Sequence, residues 1–246
     1  MISRTVRKLL RKIRKIPGER KIHHPFDAVP RDLDVKWVLD VGANDGGLAR
    51  AALRTYPECS IICFEPVRST FELLKTTLAP YRGRVYLYNE ALSDRSGTGE
   101  IHLTNFHGAN SIEPQASFHR LFNPHVREEG KEEITLARLD DVSAGFPTRV
   151  IDIMKIDVEG HEVNVLRGGA TFLRSCVDTL IIEVALMRDA SQENQAVFEI
   201  FSLLNDCGFA LVNIFDLHPA DNPDLMLAQM DCVFRHRSKF FGARIA

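Results

Sequence analysis

The chain has 246 residues, an apolar fraction of 45% and a net charge of −2. That composition suits one α/β domain with additions, and it argues against a global nucleic-acid-binding surface. No run of about 18 apolar residues reads as a membrane span. The first residues interleave apolar and charged side chains, so no secretory signal is expected, and five cysteines without a C-x-x-C pair read as reduced, mostly buried thiols of a cytoplasmic protein rather than a zinc site.

The charge is unevenly spread. Residues 1–21 carry Arg4, Arg7, Lys8, Arg11, Lys12, Arg14, Lys15, Arg20 and Lys21 against Glu19, which leaves the remainder acidic. Ile2, Val6, Leu9, Leu10, Ile13 and Ile16 share one helical face, and Pro17-Gly18 ends the pattern. Such a basic amphipathic helix suits an anionic membrane surface, where each basic residue adds about 1 kcal/mol. A docked partner helix, a solvated tail and a phosphate grip on RNA are the competing readings. Residues 22–36, with Pro25 and Pro30 and no clear period, read as a linker.

From residue 37 strands and helices alternate. Trp37 to Val41 is an apolar strand, Gly46 to Tyr56 a helix closed by Pro57, Ser60 to Phe64 a strand, Val67 to Leu78 a helix, and Arg84 to Tyr88 a strand. The alternation predicts an α/β fold with a mostly parallel sheet and helices on both faces. Residues 99–139 break the rhythm as an insertion. Gly99 to Thr104 and Glu132 to Leu139 alternate like strands, and Asn105 to Lys131 between them is polar, irregular and rich in aromatics and histidines, which suits a lid or substrate wall. Order returns with a strand at Val150 to Ile156, then a helix from Val163 to about Leu173, broken at Gly168-Gly169. A strand at Thr179 to Val184 follows, then a helix at Gln192 to Asn205. Strands at Phe209 to Phe215 and Met230 to Phe234 flank a loop at Asp216 to Leu227. The domain is placed at 37–236, with a tail at 237–246.

Ligands of open parallel sheets bind at the carboxyl ends of the strands. Here those ends carry Asp40, Asn44, Glu65, Asn89, Glu90, Asp157, Glu159 and Glu183, more acids than packing alone would place there. After the first strand comes Gly42-x-x-x-Gly46. Glycines at a strand-to-helix turn let backbone approach a ligand, and the helix start offers free N–H groups. Asn44 stands where a dinucleotide fold carries its second glycine, so a nucleoside cofactor without a pyrophosphate fits better than a nicotinamide or flavin. Glu65 at the end of the second strand can accept both hydroxyls of a ribose. Asp40 can orient the turn or meet a ligand's ammonium group.

The blocks Asp40-Val41-Gly42-Ala43-Asn44-Asp45-Gly46, Phe64-Glu65-Pro66, Asn89-Glu90-Ala91-Leu92-Ser93, Leu139-Asp140-Asp141, Lys155 through Gly169 and Ile182-Glu183-Val184, in that order, strongly resemble the FkbM family of S-adenosylmethionine-dependent methyltransferases, which act mostly on hydroxyl oxygens. The resemblance covers about Trp37 to Phe215. It implies a class I, Rossmann-like sheet of seven strands, the last antiparallel. It also implies that the turn with Asp40, Gly42, Asn44, Asp45 and Gly46 holds the methionine part of S-adenosyl-L-methionine, that Glu65 with Pro66 holds the ribose, that Asn89, Ala91 and Leu92 line the adenine, and that Asp157 lies beside the sulfur.

Methyl transfer to a hydroxyl needs alignment and a general base within hydrogen-bond reach. Asp157, Glu159, His161 and Glu183 are the candidates. Asp157, Glu159 and Glu183 are also oxygen ligands of the kind Mg2+ takes, but no spacing supports a metal and none is assigned. The acceptor expected is a small molecule, sugar or glycan hydroxyl, reached at the inner membrane face if the basic arm docks there. The alternatives are an RNA methyltransferase that uses the arm, and a non-catalytic cofactor-binding subunit.

Overall fold

The computed structural model describes residues 24–30, 33–113, 125–186, 195–218 and 229–239. Its strands are β1 (Trp37–Val41), β2 (Ser60–Phe64), β3 (Val85–Tyr88), β4 (Ala91–Leu92), β5 (Gly97–Thr104), β6 (Glu128–Ala137), β7 (Ile151–Ile156), β8 (Val177–Ala185), β9 (Phe209–His218) and β10 (Gln229–His236). The helices are α1 (Gly47–Thr55), α2 (Arg68–Leu78), α3 (Leu139–Val142), α4 (Glu162–Gly168), α5 (Ala170–Cys176) and α6 (Gln195–Asp206).

Strands β1, β2 and β7 are mostly apolar because both of their faces are covered, with Asp40, Asp152 and Lys155 as charged exceptions. They sit inside a seven-stranded sheet of order β3-β2-β1-β7-β8-β10-β9. All pairings from β3 to β8 are parallel, and β10 runs antiparallel to both β8 and β9. On one face Val163, Leu166, Phe172, Leu173, Ile200 and Leu204 of α4, α5 and α6 pack on Leu39, Ile62, Met154 and Ile182. On the other, Ala49, Leu53, Leu74 and Leu78 of α1 and α2 pack on Val38, Ile61, Ile153 and Ile181. Each fully buried aliphatic side chain contributes about 1.5–3 kcal/mol. The chain moves outward from β1 to β3 and then returns to the other side of β1 with β7. The strand order therefore reverses at β1, which opens a crevice beyond the carboxyl ends of β1 and β7.

The insertion is a second, three-stranded sheet of order β4-β6-β5. It has its own small core of Val67, Ala91, Ile101, Ile134 and Leu136. Two elements here had no sequence signal. Ala91–Leu92 is too short for a period, and Leu139–Val142 is a single turn of helix. β6 starts at Glu128, four residues before the alternation suggested, because Glu128 to Lys131 are held by pairing with β5 and not by an apolar face.

The stretch read as a linker is, where described, part of the body. Phe26, Ala28, Val29 and Val35 are buried in the α1/α2 face, Phe26 stacks edge-on to Tyr56, and Asn213 donates to the Ala28 carbonyl. Prolines kept this segment from showing a period, but these four apolar side chains suffice to anchor it. The break at Gly168-Gly169 is real and has a packing cause: a Cβ on Gly168 would lie 1.9 Å from the Ser93 carbonyl oxygen. α6 begins at Gln195 and β9 runs on to His218. The basic arm, residues 114–124, the first residues of the helix expected from Gln192, most of the loop expected after Asp216, and most of the C-terminal tail lie outside the described residues. All five cysteines are free thiols, four of them buried.

Candidate active site

The turn after β1 uses left-handed backbone at Gly42 (φ 81°), Asn44 (φ 50°) and Gly46 (φ 83°). Asparagine is among the few side chains that tolerate this region. Gly42 has a second constraint: a Cβ there would stand 1.9 Å from the Asp157 carbonyl oxygen. The ends of β1 and β7 thus touch, and the Asp157 N–H donates to the Val41 carbonyl at 3.1 Å. The N–H groups of Gly42 and Ala43 both donate to the Phe64 carbonyl. Gly46 packs on Leu74, and Asp45 accepts from the Gly47 N–H at 2.9 Å at the start of α1.

Glu65 closes β2 as a buried carboxylate. One oxygen accepts from the Asn44 N–H at 3.0 Å and the other from the Val67 N–H at 2.9 Å. Burial raises its pKa to about 7, against the opposing pull of those two N–H groups. Asn89 does not face the cavity. Its amide donates to the carbonyls of Glu65 and Pro66, so it braces the carboxylate from behind.

A cavity of about 270 Å³ runs over these elements. Gly42, Asn44, Asp45, Glu65, Pro66, Ala91, Leu92, Asp157, Glu159 and His161 line it, as the sequence reading grouped them. Asp40, Gly46, Asn89 and Glu183 do not. Asp40 stands one layer back, 1% exposed, with both carboxylate oxygens unpartnered among the described residues. Burial raises its pKa to about 6, with Lys155 opposing and Asp157 adding to the rise. A direct contact of Asp40 with a ligand ammonium is therefore not what this geometry offers; its charge acts from beneath the turn.

The carboxylates of Asp157, Glu159 and Glu183 converge, with one oxygen of each within 4.8 Å of the others. Glu159 reaches this position in left-handed backbone (φ 51°). Burial, then Asp157 and Glu162, holds the Glu159 carboxyl well above the ordinary range. Burial and the neighbouring acids push Glu183 to about 10, and it accepts from the Gln229 amide at 3.1 Å. Glu183 stands behind the cavity wall and does not line it. The spacing of the three is one that a divalent cation accepts. The described chain already sets a cation against them: the Lys155 ammonium, 2.6 Å from the Asp157 carboxylate.

His161 is also corrected as a base. Its Nε2 meets the Ser93 hydroxyl at 3.0 Å and its Nδ1 meets the Glu113 carboxylate at 3.1 Å, with the ring buried. Neither nitrogen is left for an acceptor. Instead the ring ties the start of α4 to the insertion. Two more ties run alongside: His107 to the Asn44 side chain at 2.6 Å, and the Ser111 hydroxyl to the Glu159 carbonyl at 2.6 Å. His107, Asn110 and Ile112 consequently join the cavity wall, as do Glu90 and Lys155. Sequence reasoning had listed Glu90 among the strand-end acids and read the stretch that holds His107, Asn110 and Ile112 as a lid or substrate wall, but had given Lys155 no role. Lys155 did carry a signal, a basic residue near the carboxyl end of the otherwise largely apolar strand Ile151–Ile156.

A sheet of this order, with an acid-lined cavity at the reversal point and a carboxylate after β2, defines the class I methyltransferase fold. A solved FkbM methyltransferase from Methylobacillus flagellatus superimposes with a TM-score of 0.52 at 14% identity, over 85% of this chain and 45% of that one.

Within that class, the chain belongs to the FkbM family: the Methyltransferase FkbM domain matches residues 40–211. It is a methyltransferase of the S-adenosylmethionine-dependent type. The 2-O-methyltransferase NoeI of Sinorhizobium fredii is 30% identical over 175 residues, 68% of this chain and 71% of NoeI. The hexuronic acid methyltransferase AglP of Haloferax volcanii is 28% identical over 177 residues, 70% of this chain and 65% of AglP.

Proposed function

We propose that this enzyme transfers the methyl group of S-adenosylmethionine to a hydroxyl oxygen of a sugar or other small hydroxylated acceptor. The observation that carries this reading is the continuity of one cavity from the glycine turn and Glu65 to the Asp157 and Glu159 carboxylates. The name of NoeI, a 2-O-methyltransferase, supports an oxygen as the methylated atom, and that of AglP, a hexuronic acid methyltransferase, supports a sugar as the acceptor. S-adenosylmethionine supplies an electrophilic methyl on a sulfonium; everything else is done by the chain. The turn 42–46 holds the methionine part, above the unpartnered Asp40 carboxylate. Glu65 accepts from the ribose hydroxyls, while Ala91 and Leu92 cover the adenine.

Asp157 is the proton acceptor for the attacking hydroxyl. It lines the cavity, whereas burial and the neighbouring acids shift the Glu159 carboxyl upward, Glu183 does not line the cavity and His161 is engaged at both nitrogens. Alignment of acceptor, methyl and sulfur provides several further kcal/mol. The insertion, tied down by His107, Ser111 and His161, forms the acceptor wall.

The test is transfer of a labelled methyl from S-adenosylmethionine to a panel of neutral hexoses, deoxyhexoses and hexuronic acids, followed by mild alkali. Alkali-stable label on a sugar supports O-methylation of a hydroxyl. Alkali-labile label means a carboxylate ester. Label found only on RNA overturns the reading.

A further inference from the structure

Lys155 lies in β7, opposite Asp40 of β1 in parallel register, and its neighbour on the other side is Ile181 of β8. Asp40 in turn pairs with Cys63 of β2. The row Cys63, Asp40, Lys155, Ile181 therefore crosses the sheet on the face where Ile153, Ile181 and Val38 meet α1 and α2. An ammonium in that apolar layer is costly unless it is paired and hydrogen-bonded. Lys155 is 7% exposed, and it has two carboxylates beside it. Its hydrogen bond goes to only one of them. Nζ is 2.6 Å from the Asp157 oxygen, while both oxygens of Asp40 stay without a hydrogen-bond partner among the described residues.

This asymmetry has a direction. Asp40, closed off behind the wall, balances the buried charge by proximity alone. Asp157, which lines the cavity, receives the hydrogen bond. Asp231 faces the same ammonium from β10, and Glu159 faces it from the turn after β7. Without Lys155, Asp157 would stand beside Asp40, Glu159 and Glu183 without the ammonium that is hydrogen-bonded to it.

We infer that Lys155 is a positioning residue: its buried ammonium, backed by Asp40, holds the Asp157 carboxylate at the floor of the cavity in the orientation that meets the cofactor and the attacking hydroxyl. Lys155 itself touches neither the acceptor nor the methyl group. Only the last clause rests on the methyl-donor reading.

The test is isothermal titration of S-adenosylhomocysteine, the demethylated product, into the wild type, Lys155→Met, Lys155→Arg, Asp157→Asn and the Lys155→Met/Asp157→Asn double variant, each with a native circular dichroism spectrum. Lys155→Met is expected to weaken binding tenfold or more, and Lys155→Arg to restore it to within threefold. In the Asp157→Asn background Lys155→Met should add less than threefold. Wild-type affinity in Lys155→Met, or effects that multiply in the double variant, overturns the inference. If Lys155→Met does not fold, Lys155→Gln is read in the same way. A chain that folds only with a cation at position 155 makes the role structural and also overturns it. A wild type that binds no S-adenosylhomocysteine fails the methyl-donor reading instead. Thermal melts of the same variants then decide the pairing, by whether the two single effects add or overlap.

Discussion

The two walls of the cavity are built differently. The donor wall, from β1, β2 and β7, is stitched by main chain: Gly42 and Ala43 to Phe64, Asp157 to Val41, and a glycine that touches the next strand's carbonyl. The opposite wall, from the insertion, is held by side chains at three points: His107 on Asn44, Ser111 on the Glu159 carbonyl, and Glu113 on His161. Backbone stitching leaves no tolerance, because a main-chain contact has no rotamer to yield. Side-chain ties can be exchanged one at a time. That difference suits an enzyme whose donor is constant and whose acceptor varies among relatives.

The sharpest way to break the comparison is Gly42→Ala. Its Cβ would sit 1.9 Å from the Asp157 oxygen at a φ of 81°. We expect a loss of about 3 kcal/mol or more of stability, with cofactor binding abolished. Thermal denaturation and S-adenosylhomocysteine titration measure both.

Glu65→Ala comes next, with binding weakened about 10–100-fold, the worth of a charged hydrogen-bonding group. The wild type makes a related prediction. The ionised carboxylate is the form that binds and its pKa is about 7. Affinity should therefore hold above that pH and fall by about tenfold per unit below it. A flat profile from pH 8 to 6 would remove Glu65 from the ribose.

His161→Ala should cost about 1–3 kcal/mol by removing the buried ring that bridges the Ser93 hydroxyl and the Glu113 carboxylate. It should raise the acceptor KM while S-adenosylhomocysteine binding moves less than about threefold. Equal loss of both would mean that the two walls are one unit. Deleting residues 1–21 should leave cofactor binding unchanged and reduce sedimentation with anionic liposomes. Unchanged sedimentation would dismiss the membrane-surface reading of the arm. No described helix is long and apolar enough to cross a membrane.

Much of the donor wall was legible in the chain. Its strands are mostly apolar, its turns are marked by glycine, and its polar groups sit largely at predictable strand ends. Asp40 and Glu183 were legible as residues but not as positions, because strand-end placement does not say which layer a side chain enters. His161 was misread for the opposite reason. Its position at the head of a helix suggested an open cleft, and its partners come from Ser93 and Glu113, remote in sequence. The short β4 and the start of β6 escaped because their pairing is non-local and lacks an apolar stripe.

By itself, the sequence determined the alternation of elements, the family and the set of groups available for chemistry. Those follow from local periodicity, from glycine's backbone freedom and from residue order. Only the tertiary structure decided which of those groups share a cavity, which stand behind it, and which are spent on each other. The reason is that a carboxylate, an imidazole or an ammonium acquires its role from neighbours within a few ångströms, and those neighbours come from other strands. Lys155, a buried charge in a largely apolar strand, becomes intelligible only when Asp40 and Asp157 are placed beside it.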